Sequence, residues 1–236
     1  MAYRGKTVLA VVPARGGSKG IPRKNMRIVA GKTLIAHVCD VIRDLHWIDR
    51  AVISTDDEEI AKEAKSHGLE APFMRPVELA DDNARSVDAW AHAWREAETV
   101  YSTTFDISLL LEPTSPLRRA EDIERVMAEL CRSGAQAVAT VSPTPAHYTP
   151  EKTLTVSESG EIGFYVADGS FYATRQRIPQ YYHRNGICYG ATREQVLLLH
   201  KTIETCARAV IVNRPVVNID EPYELQLAEW LLTRKS

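Results

Sequence analysis

Thr7-Val-Leu-Ala-Val-Val12 leads directly into Pro13-Ala-Arg-Gly-Gly-Ser-Lys-Gly-Ile-Pro-Arg-Lys-Asn25. The first six residues are an apolar, β-branched run, which predicts a buried strand. Gly16, Gly17 and Gly20 allow the backbone after that strand to turn tightly and to lie close to a ligand. Four cations surround these glycines: Arg15, Lys19, Arg23 and Lys24. A glycine-rich loop of this kind favours a polyphosphate site over an ordinary solvated basic turn.

Two familiar phosphate-binding motifs do not match this part of the sequence. Gly31-Lys32-Thr33 looks like the end of a Walker loop, but the glycine required five residues earlier is Met26. The glycines of the first loop run G-G-x-x-G and therefore differ from the dinucleotide fingerprint G-x-G-x-x-G. The polyphosphate prediction thus depends on the glycines and cations of the loop itself.

Charge is distributed unevenly along the 236 residues. The net charge is −2, and 25% of the residues are charged, as in an ordinary soluble globular protein. No Asp or Glu precedes Asp40, whereas eight Lys or Arg residues do. This local concentration of positive charge favours the binding of an anionic small molecule. The net charge of −2 gives no general reason to expect nucleic acid or membrane binding. Because no apolar run reaches the roughly 18 residues of a membrane span, we expect a cytoplasmic protein.

The four cysteines, Cys39, Cys131, Cys188 and Cys206, are widely spaced and include no C-x-x-C pair. Cys39 and Cys131 fall within predicted helices. We therefore expect buried free thiols and no zinc site.

Strands and helices alternate through the first half of the chain. Apolar residues at helical spacing follow Thr33, a predicted N-cap, and Arg50–Ser54 is typical of a second buried strand. The next helix has acidic residues in its first turn, and Gly68 is suited to end it. This order predicts a parallel sheet covered by helices. Asp56 either caps that helix or presents a carboxylate at a strand end, and we prefer capping.

A further buried strand, Asp106–Leu111, ends in the proline-fixed turn Glu112-Pro-Thr-Ser-Pro-Leu-Arg118. The carboxyl ends of parallel strands meet at the same edge of a sheet. We therefore expect Thr114, Ser115 and Arg118 to point into the same crevice as the first loop.

The segment between the second and third strands has its own candidates. Arg75 is a possible contact for a base or a phosphate, and Ser86 is predicted to cap the following helix. Trp90 and Trp94 in that helix stand at i and i+4, which is more typical of core packing than of a stacking platform.

The regular alternation breaks between Pro143 and Arg184. This segment is rich in Pro, Tyr, Gly, Ser and Thr, and it is too long for a simple connection. We interpret it as an extended β-rich arm, suited to a lid or a dimer contact. It would interrupt a domain made of residues 1–142 and 185–236. Lys152, Arg175 and Arg177 are cations in this arm.

Regular elements return after the arm. The sequence predicts a helix over Arg193–His200, a strand over Val216–Asp220 and a closing helix that begins near Pro222. Asn218 and Asp220 alternate along the predicted strand and so share one face. Asp220 is a candidate Mg²⁺ ligand, a helix N-cap, or both.

Several segments together resemble the acylneuraminate cytidylyltransferases, in order and at family spacing from about Thr7 to Leu232. The matching segments are Ala14-Arg-Gly-Gly-Ser-Lys-Gly, Pro22-Arg-Lys-Asn25, Ser54-Thr-Asp56, Arg75-Pro76 with Glu78-Leu79, Pro113-Thr-Ser-Pro-Leu-Arg118, Asn185-Gly186 and Ile219-Asp220. The resemblance implies a Rossmann-like three-layer α/β/α nucleotidyltransferase domain with a small β-rich dimerisation arm. It also implies a homodimer.

The implied reaction transfers CMP from CTP to the anomeric C2 hydroxyl of a nonulosonic, sialic-acid-like sugar acid. Pyrophosphate leaves, and Mg²⁺ is required. The resemblance assigns catalytic roles to Arg15, Lys19 and Asp220. It assigns nucleotide binding to Ala14, Arg15, Gly16, Gly17, Ser18, Lys19, Lys24, Asn25, Arg75, Ala84 and Ser86. It assigns sugar binding to Glu112, Thr114, Ser115, Lys152, Arg175 and Asn185, and metal binding to Asp220 and Asn218.

Three positions depart from the pattern of that family. Glu112 stands where the family usually has Gln, which adds a negative charge beside an anionic substrate. Arg184 is shifted by one position relative to Arg-x-Asn-Gly, and Asn218 replaces a second aspartate. Two alternatives therefore remain open. One is a cytidylyltransferase for a related 2-keto-3-deoxy or amino sugar acid, and the other is a non-catalytic nucleotide-binding homologue.

Overall fold

The computed structural model describes residues 3–172, 174–203 and 206–234, which contain ten strands and five α-helices. The strands are β1 Val8–Pro13, β2 Ile28–Val29, β3 Lys32–Thr33, β4 Arg50–Ser54, β5 Ile107–Leu110, β6 Ala137–Pro143, β7 Leu154–Val156, β8 Ile162–Phe164, β9 Tyr182–Thr192 and β10 Ala207–Ile211. The helices are α1 Leu34–Arg43, α2 Glu58–Ser66, α3 Ser86–Tyr101, α4 Ala120–Ser133 and α5 Pro222–Thr233. Six strands form the central sheet in the order β10-β6-β9-β5-β1-β4.

The sheet is parallel except at one strand. β9 runs antiparallel to both of its neighbours, β5 and β6. The pairs β1–β4, β1–β5 and β6–β10 are parallel. The predicted α/β class is therefore confirmed.

Side chains along β1 point alternately to the two faces of the sheet, and each face is covered by helices. Its even-numbered residues pack in one cluster with apolar residues of α1, α2 and α4, and its odd-numbered residues pack in another with α3. Trp90 and Trp94 are fully buried in the second cluster, which confirms their core role. Helices thus cover both faces of the sheet.

β1 lies where the strand order reverses. α1 carries the chain from β1 to β4 on one side, and the chain later passes through α3 to β5 on the other side. The register pairs Pro13 with Ser54 and Val11 with Leu110, so three carboxyl ends lie side by side. Open α/β sheets bind ligands at this kind of crevice.

The predicted strand Val216–Asp220 is wrong. The segment belongs to no sheet among the described residues. Val217 and Ile219 are buried in a small cluster with Ala228 of α5, which explains the apolar alternation in the sequence. The Ile219 N–H donates to the Thr114 carbonyl at 2.8 Å, and this bond connects the segment to the turn after β5.

Three smaller predictions also differ from the structure in detail. Ser86 is the first residue of α3; Arg85 holds the N-cap position, and no side-chain hydrogen bond caps the helix. The predicted helix over Arg193–His200 is a five-residue π-helix, Glu194–Leu198. Cys131 and Cys206 are free but exposed, whereas Cys39 and Cys188 are buried.

The predicted arm contains the hairpin of β7 and β8 and short 3₁₀ helices. Pro143 and Tyr182 pair at the ends of β6 and β9, so both ends of the arm leave from the sheet. The proposed division into residues 1–142 with 185–236 and an inserted 143–184 stays a prediction. No helix of the described residues is long and apolar enough to span a membrane.

Candidate active site

A cavity of about 580 Å³ lies at the carboxyl ends of β1 and β5. Many residues that the resemblance assigns to the site line it: Arg15, Ser18, Lys19, Lys24, Asn25, Arg75, Ala84, Ser86, Glu112, Thr114, Asn218 and Asp220. Ala14, Gly16, Gly17, Ser115, Lys152 and Asn185 do not line it. The side chain of Arg175 lies outside the described residues.

The backbone of the first loop is fixed by residues that follow β4. The Ala14 N–H donates to the Ser54 carbonyl at 2.9 Å, and the Gly16 N–H donates to Asp56 Oδ1 at 2.9 Å. A Cβ at Gly16 would lie 2.8 Å from Asp57 Oδ2, so this position needs glycine. A Cβ at Gly17 would have no neighbour within 4 Å, so that side of the loop is open.

The preferred role of Asp56 as a helix cap is wrong. Asp57 caps α2 and accepts hydrogen bonds from the N–H groups of Glu59 and Ile60 at 2.8 and 3.1 Å. Asp56 is left to hold the first loop through Gly16. A one-residue shift in the cap therefore gives two adjacent carboxylates separate tasks.

Three of the four loop cations line the cavity. Arg15 and Lys19 pair with the two oxygens of Asp82, at 2.9 and 2.5 Å. Lys24 donates to Asp220 Oδ1 at 2.8 Å and to the Ile219 carbonyl at 3.0 Å. Arg23 instead pairs with Glu59 and is not part of the cavity wall. The predicted concentration of positive charge is therefore present, and carboxylates face it.

Arg75 reaches the cavity from a buried position. Its Nε donates to Ser54 Oγ at 3.0 Å and its Nη2 to the Ser54 carbonyl at 2.6 Å. Burial lowers the pKa of Arg75 to about 10, while Asp56 acts in the opposite direction. The guanidinium remains positively charged at neutral pH.

The turn after β5 forms the opposite wall. Thr114 lines the cavity, but Arg118 does not, and the expectation that Arg118 points into the crevice is wrong. Arg118 is buried and donates to the carbonyls of Ile187 at 2.5 Å, Glu112 at 2.6 Å and Gly186 at 3.0 Å. Burial lowers the pKa of Arg118 to about 10. This side chain therefore ties the turn to β9.

Ser115 and Asn185 also stabilise the cavity wall, from the side that faces the protein interior. Ser115 Oγ donates to the Asn185 carbonyl at 2.8 Å. The Asn185 amide donates to Ser142 Oγ at 3.0 Å and accepts from Thr140 Oγ1 at 2.7 Å. With its amide oxygen and nitrogen both engaged in the interior, Asn185 positions β9 and does not face the cavity.

Glu112 is a half-buried carboxyl group in the cavity wall. Burial raises its pKa, Arg118 opposes that shift, and the charge of Asp220 adds to it. Gly186 has a φ of +67°, and a Cβ there would lie 2.5 Å from Glu112 Oε2 and 2.6 Å from Ser115 Oγ. The glycine of Asn185-Gly186 thus leaves room for the Glu112 carboxyl group.

Asp220 and Asn218 line the same part of the cavity. Asp220 is not a helix cap, because Glu221 caps α5 in a reciprocal pair with Glu224. The described residues contain no group of three or more His, Cys, Asp or Glu side chains arranged for a metal ion. Carboxylate and amide oxygens suit Mg²⁺, which commonly takes its other ligands from substrate phosphates and water. The residues therefore fit a metal shared with a bound polyphosphate.

A family model described as cytidylyltransferase matches residues 9–229. The chain belongs to the cytidylyltransferase family. The resemblance inferred from the sequence is confirmed, and this cytidylyltransferase is a nucleotidyltransferase enzyme.

Curated relatives match this cytidylyltransferase over nearly its whole length. CMP-N,N'-diacetyllegionaminic acid synthase of Legionella pneumophila is 30% identical over 229 residues, covering 95% of this chain and 96% of the relative. Pseudaminic acid cytidylyltransferase of Campylobacter jejuni strain 81-176 is 29% identical, covering 94% and 95%. N-acylneuraminate cytidylyltransferase of Escherichia coli O18:K1:H7 is 27% identical, covering 97% of this chain and 53% of the relative.

Solved structures show the same fold at lower identity. A CMP-2-keto-3-deoxy-manno-octonic acid synthetase complexed with CTP has a TM-score of 0.69 and 18% identity, with 96% of this chain and 98% of the other covered. A 4-diphosphocytidyl-2C-methyl-D-erythritol synthase of Anaerococcus prevotii has a TM-score of 0.66 and 13% identity, with 98% of both chains covered. The three-layer nucleotidyltransferase architecture of the cytidylyltransferase is thus confirmed.

Sequence reasoning missed one carboxylate that shapes this cytidylyltransferase site, Asp82, and gave another, Asp56, the wrong preferred role. Asp82 faces Arg15 and Lys19 from a loop more than sixty positions later in the chain. Asp56 holds the Gly16 backbone. The only sequence signal for Asp82 was the acid pair Asp81-Asp82 near a helix start, which does not specify a partner.

Proposed function

We propose that this cytidylyltransferase transfers CMP from CTP to the C2 hydroxyl of a nonulosonic acid and releases pyrophosphate, with Mg²⁺. The observation that carries the proposal is one cavity in which Arg15, Lys19 and Lys24 face Glu112 and Asp220. The names of the curated relatives support the acceptor class, since they are synthases or cytidylyltransferases of legionaminic, pseudaminic and neuraminic acids.

The cations of the first loop are proposed to bind the triphosphate. Arg15, Lys19 and Lys24 would neutralise charge as the bond between the α- and β-phosphates breaks. Removal of one such contact typically costs about 2.7–4 kcal/mol in the transition state. Arg75, Ala84 and Ser86 line the cavity along the α3 side, where we place the cytidine.

The sugar acid is proposed to lie against the turn after β5. Thr114 and Glu112 face this part of the cavity, and Arg184 lies close enough to Glu112 to affect its pKa. Glu112 gives a specific reason to test a second class of acceptor. A carboxylate accepts hydrogen bonds only, so it would favour a hydroxyl or ammonium group at this point of the sugar.

We propose that Asp220 and Asn218 would hold Mg²⁺ together with the nucleotide phosphates. Its chemistry at such a site is to neutralise phosphate charge and to lower the pKa of the attacking hydroxyl. Lys24 now holds the Asp220 carboxylate at 2.8 Å and would turn towards a phosphate when the nucleotide binds.

Asp220→Asn tests the metal assignment. We expect turnover to fall by about 100-fold or more while CTP still binds in a calorimeter. We also expect weaker Mn²⁺ binding to the CTP complex, followed by electron paramagnetic resonance. Unchanged turnover and unchanged Mn²⁺ binding would contradict the assignment.

A homodimer is proposed through the arm. Several large apolar residues of the arm are exposed: Leu154, Val156, Ile162, Phe164, Tyr165 and Phe171. Exposed apolar surface of this extent is typical of protein interfaces. A concentration-independent monomer mass in light scattering would contradict the dimer.

We also propose a cytoplasmic location for the enzyme. Its cysteines are free, as is usual for proteins of the reducing cytoplasm.

Pyrophosphate release tests the reaction and its acceptor together. CTP, UTP, GTP and ATP would each be mixed with Mg²⁺ and a panel of neuraminic, legionaminic, pseudaminic and eight-carbon 2-keto-3-deoxy acids. We expect release with CTP and a nine-carbon acid. Release only with an eight-carbon or amino sugar acid would favour the alternative acceptor. CTP binding without release on the whole panel would favour a non-catalytic homologue.

A further inference from the structure

Asp82 occupies the cations that the proposed function reserves for phosphate. One carboxylate oxygen lies 2.9 Å from Arg15 Nη1, and the other lies 2.5 Å from Lys19 Nζ. The carboxylate therefore bridges two cations with separate oxygens, as two oxygens of a phosphate group would. Hydrogen bonds from Lys19 and then from Arg15 hold the pKa of Asp82 below its usual range.

The loop around Asp82 does not need this carboxylate for its own shape. Asp81 fixes the turn, because its Oδ1 accepts hydrogen bonds from the N–H groups of Asn83 and Ala84 at 2.8 and 2.7 Å. In the described part of the chain, the two ion pairs are the only polar contacts of the Asp82 carboxylate. The carboxylate thus acts on the cations alone.

We propose that Asp82 is a displaceable internal ligand of the phosphate-binding cations, which a polyphosphate must replace and which returns when pyrophosphate leaves. The proposal rests on the proposed function, since it takes Arg15 and Lys19 as the triphosphate contacts. A phosphate at these cations would lie against the Asp82 carboxylate, and like charges in contact repel.

Asp82 can be displaced because its ion pair with Lys19 is exposed to solvent. The side chain of Lys19 is 82% exposed and that of Asp82 is 38% exposed. Exposed ion pairs are weak and are screened by salt, whereas a polyphosphate brings several charges to the same cations. Asp82 therefore lowers the affinity for a polyphosphate without closing the site.

The consequence differs between ligands. CTP and pyrophosphate must displace Asp82, so both bind less tightly than the cations alone would allow. Cytidine has no phosphate and does not compete for Arg15 or Lys19. Asp82 thereby assists the release of pyrophosphate, and product release limits turnover in many enzymes.

Calorimetric titration of Asp82→Asn with CTP, pyrophosphate and cytidine tests this role. We expect CTP and pyrophosphate to bind about three- to tenfold more tightly than to the wild type, and cytidine to bind equally well. The gain should shrink as salt is added. In steady-state assays, pyrophosphate should inhibit Asp82→Asn at correspondingly lower concentration.

Asp81→Asn is the matched control. It removes the same charge one position away and keeps an oxygen for the Asn83 and Ala84 N–H groups, but it frees neither Arg15 nor Lys19. We expect less than about a twofold change in CTP affinity, as for a general field effect.

Several outcomes would overturn the proposal. Equal or weaker CTP binding by Asp82→Asn would mean that the carboxylate organises the cations. An equal gain in CTP affinity in Asp81→Asn would mean that the loss of one negative charge near the cavity explains the effect. A similar gain in cytidine affinity in Asp82→Asn would mean that the substitution changes the loop. If the wild type bound no CTP, the proposed function would fail, whereas the pyrophosphate titration would still test Asp82.

Discussion

The turn after β5 and the hairpin of β7 and β8 are stabilised in opposite ways. In the turn, the buried guanidinium of Arg118 donates to three backbone carbonyls, and Gly186 makes room for Glu112. In the hairpin, Val156 and Ile162 remain 68% and 70% exposed. The chain completes the cavity wall by itself, whereas the arm keeps apolar surface available to another protein surface. Substitutions in the two regions should therefore affect different measurements.

Replacement of Arg118 should have the largest effect on stability. Arg118→Met keeps much of the side-chain volume but removes the Arg118 donor from the carbonyls of Gly186 and Ile187. The Glu112 carbonyl also loses Arg118 but keeps the Ser115 N–H as a donor at 3.2 Å. Each unsatisfied buried group costs about 1–3 kcal/mol, so the two carbonyls predict a loss of about 2 kcal/mol or more in the free energy of unfolding. Urea denaturation measures this loss.

Arg125→Met is the control for that prediction. Arg125 is exposed and donates to the Ile211 carbonyl at 2.9 Å. Its replacement should change the free energy of unfolding by less than about 1 kcal/mol. Equal losses in the two variants would contradict the role given to Arg118.

Gly186→Ala sharpens the comparison within the cavity wall. Gly186 and Gly134 have φ values of +67° and +65°, but a Cβ at Gly134 has no neighbour within 4 Å. Both alanine variants should lose about 1–2 kcal/mol through backbone strain. Gly186→Ala should lose more, because its Cβ meets Glu112 and Ser115. Gly186→Ala should also lower the rate of turnover. Equal losses of stability in Gly186→Ala and Gly134→Ala would contradict a clash of the Gly186 Cβ with Glu112 and Ser115.

Asp106 makes the stability of the folded protein depend on pH. The N–H and hydroxyl groups of Thr7 donate to Asp106, and the backbone bond is the main reason that the pKa of Asp106 is lowered. A depressed pKa contributes stability above the unfolded value of about 3.9, and this contribution disappears as pH falls through the folded pKa. Asp106→Asn should therefore melt below the wild type at pH 7, and the difference should shrink below about pH 4.

Asp44→Asn provides the comparison for this pH series. Asp44 is exposed and accepts no hydrogen bond with its side chain among the described residues. Its melting temperature should follow the wild type from pH 7 to pH 3. A constant gap between Asp106→Asn and the wild type over the same range would contradict the assigned pKa shift.

The arm should show the smallest effect on unfolding. Ile162→Ser changes an exposed residue and should alter the free energy of unfolding by less than about 0.5 kcal/mol at high dilution. The same change should weaken the proposed dimer in light scattering. Ile53→Ser, at a fully buried position in β4, should lose more than about 2 kcal/mol. An arm variant as unstable as Ile53→Ser would remove the distinction between the two regions.

Local signals predicted the elements that depend on local order. The apolar run of β1, the cap at Thr33 and the helical spacing of α1 all appear in the structure. The first loop was also identified from its glycines and cations. Each of these features lies within a few residues of its own signal.

Long-range partners could not be predicted in this way. Arg118 carries a charge that suggested a ligand, yet β9 supplies carbonyls that draw it inside. The alternation in Val216–Asp220 suggested a strand, yet α5 supplies the apolar contacts. Asp82 meets Lys19 across more than sixty positions of sequence. These outcomes depend on which surfaces the fold brings together.

The transfer of the cytidylyl group itself is the most direct test of the proposed function. CTP carrying a radioactive α-phosphorus would be incubated with Mg²⁺ and each sugar acid, and the products separated by charge. We predict that the wild type moves the label to a product that contains the sugar acid and that Asp220→Asn does not. Label that stays in CTP with every acid, or that moves equally well with Asp220→Asn, would contradict the proposed reaction or its site.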